Sequence, residues 1–240
     1  MTLLRMSMGR VGNVPVRMRM MKMSAATVSN RRKMEKSNLT IDYYNQKAAD
    51  FFAGTVNVDF TDIQQRFLKY LPAAGRILDL GCGAGRDSLA FLKRGFSVVA
   101  VDGSETLAAM AEEHIGQPVI VADFREYEPD GTFDGVWACS SLLHLQIKEI
   151  PPVLRKMTEH LRAGGCFYVS FKYGGFEGIR NGRYFTDLTE KELEKLLGEV
   201  PGLRTAEVFI TTDVRPGRSE AWLNAFLVKE SACCASSHAL

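Results

Sequence analysis

Residues Arg76-Ile-Leu-Asp-Leu-Gly-Cys-Gly-Ala-Gly85 decide the reading of this chain. A short apolar run, 76–80, enters a cluster of three glycines at alternating positions, and a helical stretch then runs to Lys93 and stops at Gly95. Strand, glycine turn and helix in that order form the first unit of an α/β sheet. Glycine lets the backbone approach a ligand closely and adopt conformations closed to other residues. A pyrophosphate would call for G-x-G-x-x-G spacing. This segment reads G-x-G-x-G, with Asp79 two residues ahead of it. An acid there repels phosphate and suits a ligand bearing a cationic amino group.

Outward from this turn the pattern repeats. The run 96–101 ends in Asp102, and Ser104 caps an Ala-rich helix to about residue 114. Further strands are predicted at 118–121, ending at Asp123, at 133–138 and at 166–173. A helix over 147–161 stops at Gly164-Gly165. After a Gly-rich irregular loop, Thr189 opens another helix with Glu192 in the capping-box position. Two last strands, 203–211 and 221–228, flank a Pro216-Gly217 turn. Upstream, 41–53 places Tyr44, Ala48, Phe51 and Phe52 at helical spacing before Gly54, and 60–71 does the same with Ile63, Phe67, Leu68 and Leu71 before Pro72. The expected fold is α/β: a Rossmann-like, doubly wound, seven-stranded sheet, mostly parallel, with an antiparallel strand from the C-terminal hairpin.

The 240 residues are 46% hydrophobic and 24% charged, which fits one ordinary globular domain and excludes a disordered chain. No run reaches the length of about 18 apolar residues needed for a transmembrane helix. The net charge of +2 is unevenly spread. Residues 1–36 hold nine Lys/Arg against Glu35 alone and eight of the ten methionines, which leaves the remaining 204 residues at −6. An acidic body is a poor partner for nucleic acid. We read 1–36 as a disordered basic Met/Arg-rich extension: an upstream extension of the reading frame with Met34 as the natural start, or an Arg-rich targeting peptide. Residues 37–230 form the domain, and 231–240 a disordered tail. Five cysteines without framework or metal-ligand spacing point to a reducing compartment, with the cytoplasm as default.

Ligands of open α/β sheets bind beyond the carboxyl ends of the strands. Asp102, 23 residues after Asp79, suits both hydroxyls of a ribose, and Asp123-Phe124 suits an adenine amine and its ring. A ligand with ribose, adenine and a cationic amino-acid end is S-adenosylmethionine. The motifs Asp79 to Gly85, Asp102, Asp123-Phe124, Phe133-Asp-Gly-Val-Trp-Ala-Cys-Ser-Ser-Leu-Leu-His-Leu145 and Leu161-Arg-Ala-Gly-Gly165 together resemble the class I S-adenosylmethionine-dependent methyltransferases over about residues 41–229. Tyr43-Tyr-Asn-Gln-Lys-Ala-Ala-Asp-Phe-Phe52 and Ser170-Phe-Lys-Tyr-Gly174 look most like the small-molecule enzymes near the tellurite-resistance methyltransferases. The resemblance implies that Asp79, Gly81, Cys82 and Gly83 line the methionine end of the cofactor, Asp102 with Gly103 the ribose, and Asp123 with Phe124 the adenine. By the same resemblance Ser140 and Leu142 border the transferred methyl, and Tyr44 closes as a lid.

His144 admits two readings, a general base or a histidine that holds its loop by hydrogen bonds. Tyr44 is the other candidate for moving a proton. Tyr173, Arg180, Arg183 and Tyr184 stand around a loop above which substrates sit in this fold; the arginines suit a carboxylate or other oxyanion, or are simply solvated. Asp87 complements a helix start, and Cys82 and Cys139 read as space-fillers. The expected reaction is in-line methyl transfer to a small-molecule acceptor, by a monomer or homodimer, without metal. The alternatives are a non-catalytic S-adenosylmethionine-binding protein and a nicotinamide-dependent dehydrogenase.

Overall fold

A computed structural model describes residues 39–215 and 217–231. The readings for 1–36 and most of the tail, and the Pro216 half of the expected turn, lie outside them. Residues 39–46 are helical (α1), followed by α2 (Ala48–Thr55) and α3 (Thr61–Leu68). Then come β1 (Arg76–Leu80), α4 (Arg86–Lys93), β2 (Ser97–Asp102), α5 (Glu105–Ile115), β3 (Val119–Val121) and β4 (Phe133–Ala138). The second half holds α6 (Ile150–Glu159), β5 (Leu161–Lys172), β6 (Glu177–Arg180), β7 (Arg183–Thr186), α7 (Glu190–Leu197), β8 (Leu203–Thr212) and β9 (Ala221–Lys229).

Seven strands form one sheet in the order β3-β2-β1-β4-β5-β9-β8. Strands β1 to β5 pair in parallel, and β9 runs antiparallel to both its neighbours. The parallel strands are buried on both faces, so alternate residues feed two cores. Leu78 and Leu80 pack with Val136, Phe167 and the Leu193 and Leu196 stripe of α7. On the opposite face Ile77 packs with Phe67 of α3, Phe91 of α4, Tyr168 and Trp137. The Trp137 and Tyr168 rings stack with centroids 4.1 Å apart. Small residues of α5, Ala108 and Ala111, allow it to lie close on Ala100 of β2.

Four boundaries differ from the sequence expectation. Gly54 does not stop the front helix; the break falls at Lys47, where φ −110° and ψ 16° leave the helical region. The helix expected over 147–161 is a 3₁₀ turn, Ile147–Glu149, followed by α6, whose first turn takes the prolines because their missing N–H groups have no helical partner there. Strand β5 begins at Leu161, five residues early. The Gly-rich loop is a two-stranded hairpin, β6 with β7, closed by Asn181 and Gly182 at φ 51° and 76°. Two successive left-handed residues are the turn that matches the twist of paired strands. The caps at Ser104 and at Thr189 with Glu192 form as expected.

Candidate active site

Beyond the carboxyl ends of β1, β2 and β4 lies a cavity of about 500 Å³. It extends under α1 and the β6–β7 hairpin to the ends of β5, β8 and β9. Tyr44, Gly81, Cys82, Gly83, Asp102, Gly103, Asp123, Phe124, Ser140, His144 and Arg183 line it. Asp79, Leu142, Tyr173 and Arg180 do not.

The glycine turn is stitched to β2. The N–H groups of Gly81 and Cys82 both donate to the Val101 carbonyl, at 2.8 and 3.0 Å, and Gly83 N–H donates to Asp102 Oδ2 at 2.9 Å. Ser104 N–H donates to Oδ1 of the same carboxylate. Burial raises the Asp102 carboxyl above its usual range, and these backbone donors oppose that. Gly81 has φ 90°, and a Cβ on it would lie 2.4 Å from Ser141 Cβ. Ser141 Oγ is buried without a hydrogen-bond partner among the described residues.

Asp79 corrects the sequence reading. It alternates onto the α4 side of β1, in register with Ala100 and Trp137, and is 1% exposed. Ser88 Oγ donates to it at 2.6 Å, and burial, together with the Asp87 carboxylate, pushes it up to about 8. It stands behind the glycine turn, not on the cavity wall. Asp87, read as a helix-dipole complement, is a hub instead: it accepts from Gln64 Nε2, Trp137 Nε1 and Arg86. Burial works against its charge, but the Arg86 guanidinium and these donors hold it below the usual range.

Asp123 bears on the cavity while its carboxylate takes the Arg125 guanidinium and backbone N–H. Ser140 turns the chain at φ 53° at the end of β4 and donates its N–H to Ser170 Oγ at 2.8 Å. Leu142 is fully buried in the core, so Ser141 and Leu143 reach the cavity in its place. The thiols of Cys82 and Cys139 are pushed up by burial, Cys139 to about 12, which leaves them protonated.

His144 donates Nδ1–H to the Tyr184 carbonyl at 2.7 Å, since a carbonyl only accepts. Its Nε2 therefore carries a lone pair, which takes the Tyr44 hydroxyl at 2.8 Å. Arg183 Nη1 donates to the same hydroxyl at 3.2 Å. Burial lowers His144 to about 4 and raises Tyr44, so both are neutral near pH 7. Two of the residues proposed for substrate binding stand elsewhere. Tyr173 is 40% exposed with its hydroxyl on Glu190, and Arg180 pairs with Asp187 at 2.8 Å between the Phe176 and Phe185 rings.

The sequence reading missed Ser141, Phe51 and the far wall. The Phe51 ring lies 3.3 Å from where a Gly83 Cβ would be. The far wall comprises Ser170, Lys172, Thr211 to Arg215, Arg218, Trp222 and Asn224. Ser141 had a signal, its place beside Ser140 at the end of a strand; nothing in the local pattern of β8 marked the far wall.

Known proteins share stretches of this sequence and its fold. Residues 77–165 match the family described as "Methyltransferase domain". The putative methyltransferase YqeM of Bacillus subtilis (strain 168) is 40% identical over 84 residues, 32% of this chain and 34% of that protein. The cypemycin N-terminal methyltransferase of Streptomyces sp is 36% identical over 104 residues, 41% of this chain and 42% of that protein. The chain thus spans less than half the length of these relatives. Among solved structures, the 1,6-didemethyltoxoflavin-N1-methyltransferase of Burkholderia thailandensis superposes with a TM-score of 0.68 at 20% identity, over 83% of this chain and 91% of that one. TehB of Haemophilus influenzae gives 0.59 at 18%, over 79% and 66%. No helix among the described residues is long and apolar enough to cross a membrane. Residues 77–165 are thus similar to a methyltransferase-domain family, and the whole described chain shares its fold with these solved methyltransferases.

Proposed function

We propose that this chain is an S-adenosylmethionine-dependent methyltransferase of a small molecule. The observation that carries the reading is the Asp102 carboxylate, pinned by Gly83 and Ser104 N–H groups on a cavity wall beside a glycine turn with no room for a Cβ at Gly81. The residues fit that cofactor. Asp102 retains lone pairs for ribose hydroxyls, and Asp123 with Phe124 borders the adenine. Gly81, Cys82, Gly83, Ser140 and the orphaned Ser141 hydroxyl border the methionine end. Asp79 acts from behind, supporting the turn through Ser88 on α4.

When bound, the cofactor supplies a methyl group on a sulfonium, already a good electrophile. The chain supplies alignment and exclusion of water, which α1 and the β6–β7 hairpin achieve by covering the cavity. For an acceptor that must lose a proton, Tyr44 Oη is the group that takes it while passing its own proton to His144 Nε2. The half of the cavity formed by α1, the hairpin and the far wall lies outside residues 77–165, which suits a part that varies with the acceptor. A covered cavity and an acidic body favour a small acceptor over nucleic acid, and unpaired Cys82, Cys139 and Cys166 accord with the cytoplasm.

Calorimetry of the full chain with S-adenosylhomocysteine, with NAD(H) and NADP(H) as controls, tests the assignment. Micromolar binding of the homocysteine product alone is expected. Binding of a nicotinamide nucleotide instead, or of nothing, would overturn it. Methyl transfer from labelled cofactor to any of a set of small acids, thiols and amines then separates an enzyme from a non-catalytic binder.

A further inference from the structure

Arg183 stands apart from every other cation on the cavity wall. The other six each lie within 3.8 Å of a carboxylate. In the acceptor half these pairs are Lys172 and Arg218 with Glu220, and Arg215 with Asp213. Arg183 has no carboxylate among the described residues. Its guanidinium rests instead over the rings of Tyr43, Phe185 and Tyr44, at 4.5, 5.1 and 5.6 Å from their centroids. Its Nε is shielded from solvent and has no hydrogen-bond partner. Among the described residues, its one hydrogen bond runs from Nη1 to the Tyr44 hydroxyl.

Aromatic faces hold a guanidinium by its plane and leave the N–H groups along its edge free. Those edge donors match an oxyanion in a forked geometry. A buried polar group with no partner is costly, and such a group at a ligand cavity is explained by a ligand that satisfies it. The mirror case occurs in the cofactor half. Asp102 is the carboxylate of the wall without a cation among the described residues, and it is the group assigned to ribose hydroxyls.

Building on the methyltransferase reading above, we infer that the acceptor presents an oxyanion to Arg183, which sets its nucleophilic atom beside Tyr44 and makes Arg183 the specificity-determining residue of the acceptor half. The Phe185 and Trp222 rings that flank Lys172, at 5.6 and 5.7 Å, wall the same space and suit the carbon body of a small organic acid.

The test uses the full chain saturated with S-adenosylhomocysteine. Benzoate, 4-hydroxybenzoate and succinate are compared with benzamide, 4-hydroxybenzamide and succinamide, with sulfate as the inorganic arm, by thermal shift and then calorimetry. At least one anion is expected to bind while its neutral partner does not. Arg183→Gln is expected to weaken that anion about tenfold or more, and Arg183→Lys less, with the S-adenosylhomocysteine affinity of both held within about threefold. A response to the organic acids alone assigns an organic acceptor, and one to sulfate as well assigns the oxyanion itself; both support the pairing. Amides that bind as well as acids, an undiminished anion response in Arg183→Gln, or no anion bound at all would overturn it. Failure of S-adenosylhomocysteine to bind the unaltered chain would instead overturn the methyltransferase reading, so the two failures are distinct.

Discussion

The hydroxyl of Tyr44 lies 2.8 Å from Nε2 of His144, a residue 100 positions further along the chain. This bond ties α1 to the turn after β4. The opposite nitrogen of the same imidazole ties that turn to the Tyr184 carbonyl of the hairpin. One neutral ring thus joins three segments that cover the cavity, and the two readings of His144 made from the sequence are compatible in a single geometry.

That neutrality has a pH signature. His144 titrates near 4 in the folded chain, pushed down by burial from 6.5. Between those values the unfolded chain takes up a proton that the folded chain refuses. The stability is therefore whole above pH 6.5 and is lost as pH falls toward 4. Urea unfolding at pH 7 and pH 4 should show the unaltered chain losing about 2–3 kcal/mol more than His144→Asn over that range. Equal losses would show that His144 is not held neutral by the fold.

Asp102→Ala should weaken S-adenosylhomocysteine by about ten- to a hundredfold in calorimetry, the cost of losing hydrogen bonds to a charged acceptor. It also frees the Gly83 and Ser104 N–H groups that the carboxylate pins. Unchanged affinity would refute the ribose assignment.

Ser141 and Gly81 give paired expectations of opposite sign. Ser141→Ala removes a buried hydroxyl with no partner, so the ligand-free chain should gain about 1 kcal/mol while the cofactor product binds more weakly. Gly81→Ala puts a methyl 2.4 Å from Ser141 Cβ at φ 90° and should cost about 2 kcal/mol or more, seen as an early melting midpoint. A Ser141→Ala chain that melts earlier would mean the hydroxyl is satisfied after all.

Asp87→Ala should destabilise by about 3–5 kcal/mol, because the Arg86 charge then stays buried without its carboxylate and the Trp137 and Gln64 donors lose their acceptor. Chemical denaturation measures this directly, and a loss below about 1 kcal/mol would contradict the hub.

The sheet was legible because its signals are local. Each of the first three strands has an acid within two residues of its end, and α5 and α7 carry side-chain caps, so the order of elements follows from residues 76–229 almost unaided. Burial was not legible. Asp79 reads as a ligand-facing acid until β1 is set in register with β2 and β4, which turns it toward α4. Leu142 reads as a cavity residue until the 3₁₀ turn Leu142–His144 rolls it into the core. Arg180 and Arg183 read alike, and only the tertiary structure gives one an acid and the other three rings. The hairpin had a signal, Asn181-Gly182 between residues of high strand preference, which the surrounding glycines obscured.

The place of β9 in the sheet carries a consequence for biosynthesis. It is the last of the sheet's seven strands in chain order, yet it lies between β5 and β8, both made earlier. Until residues 221–229 emerge, the nascent chain exposes two open strand edges, each a template for pairing with another copy. A chain lacking residues 221–229 would keep the glycine turn and Asp102 in full, yet be prone to aggregate.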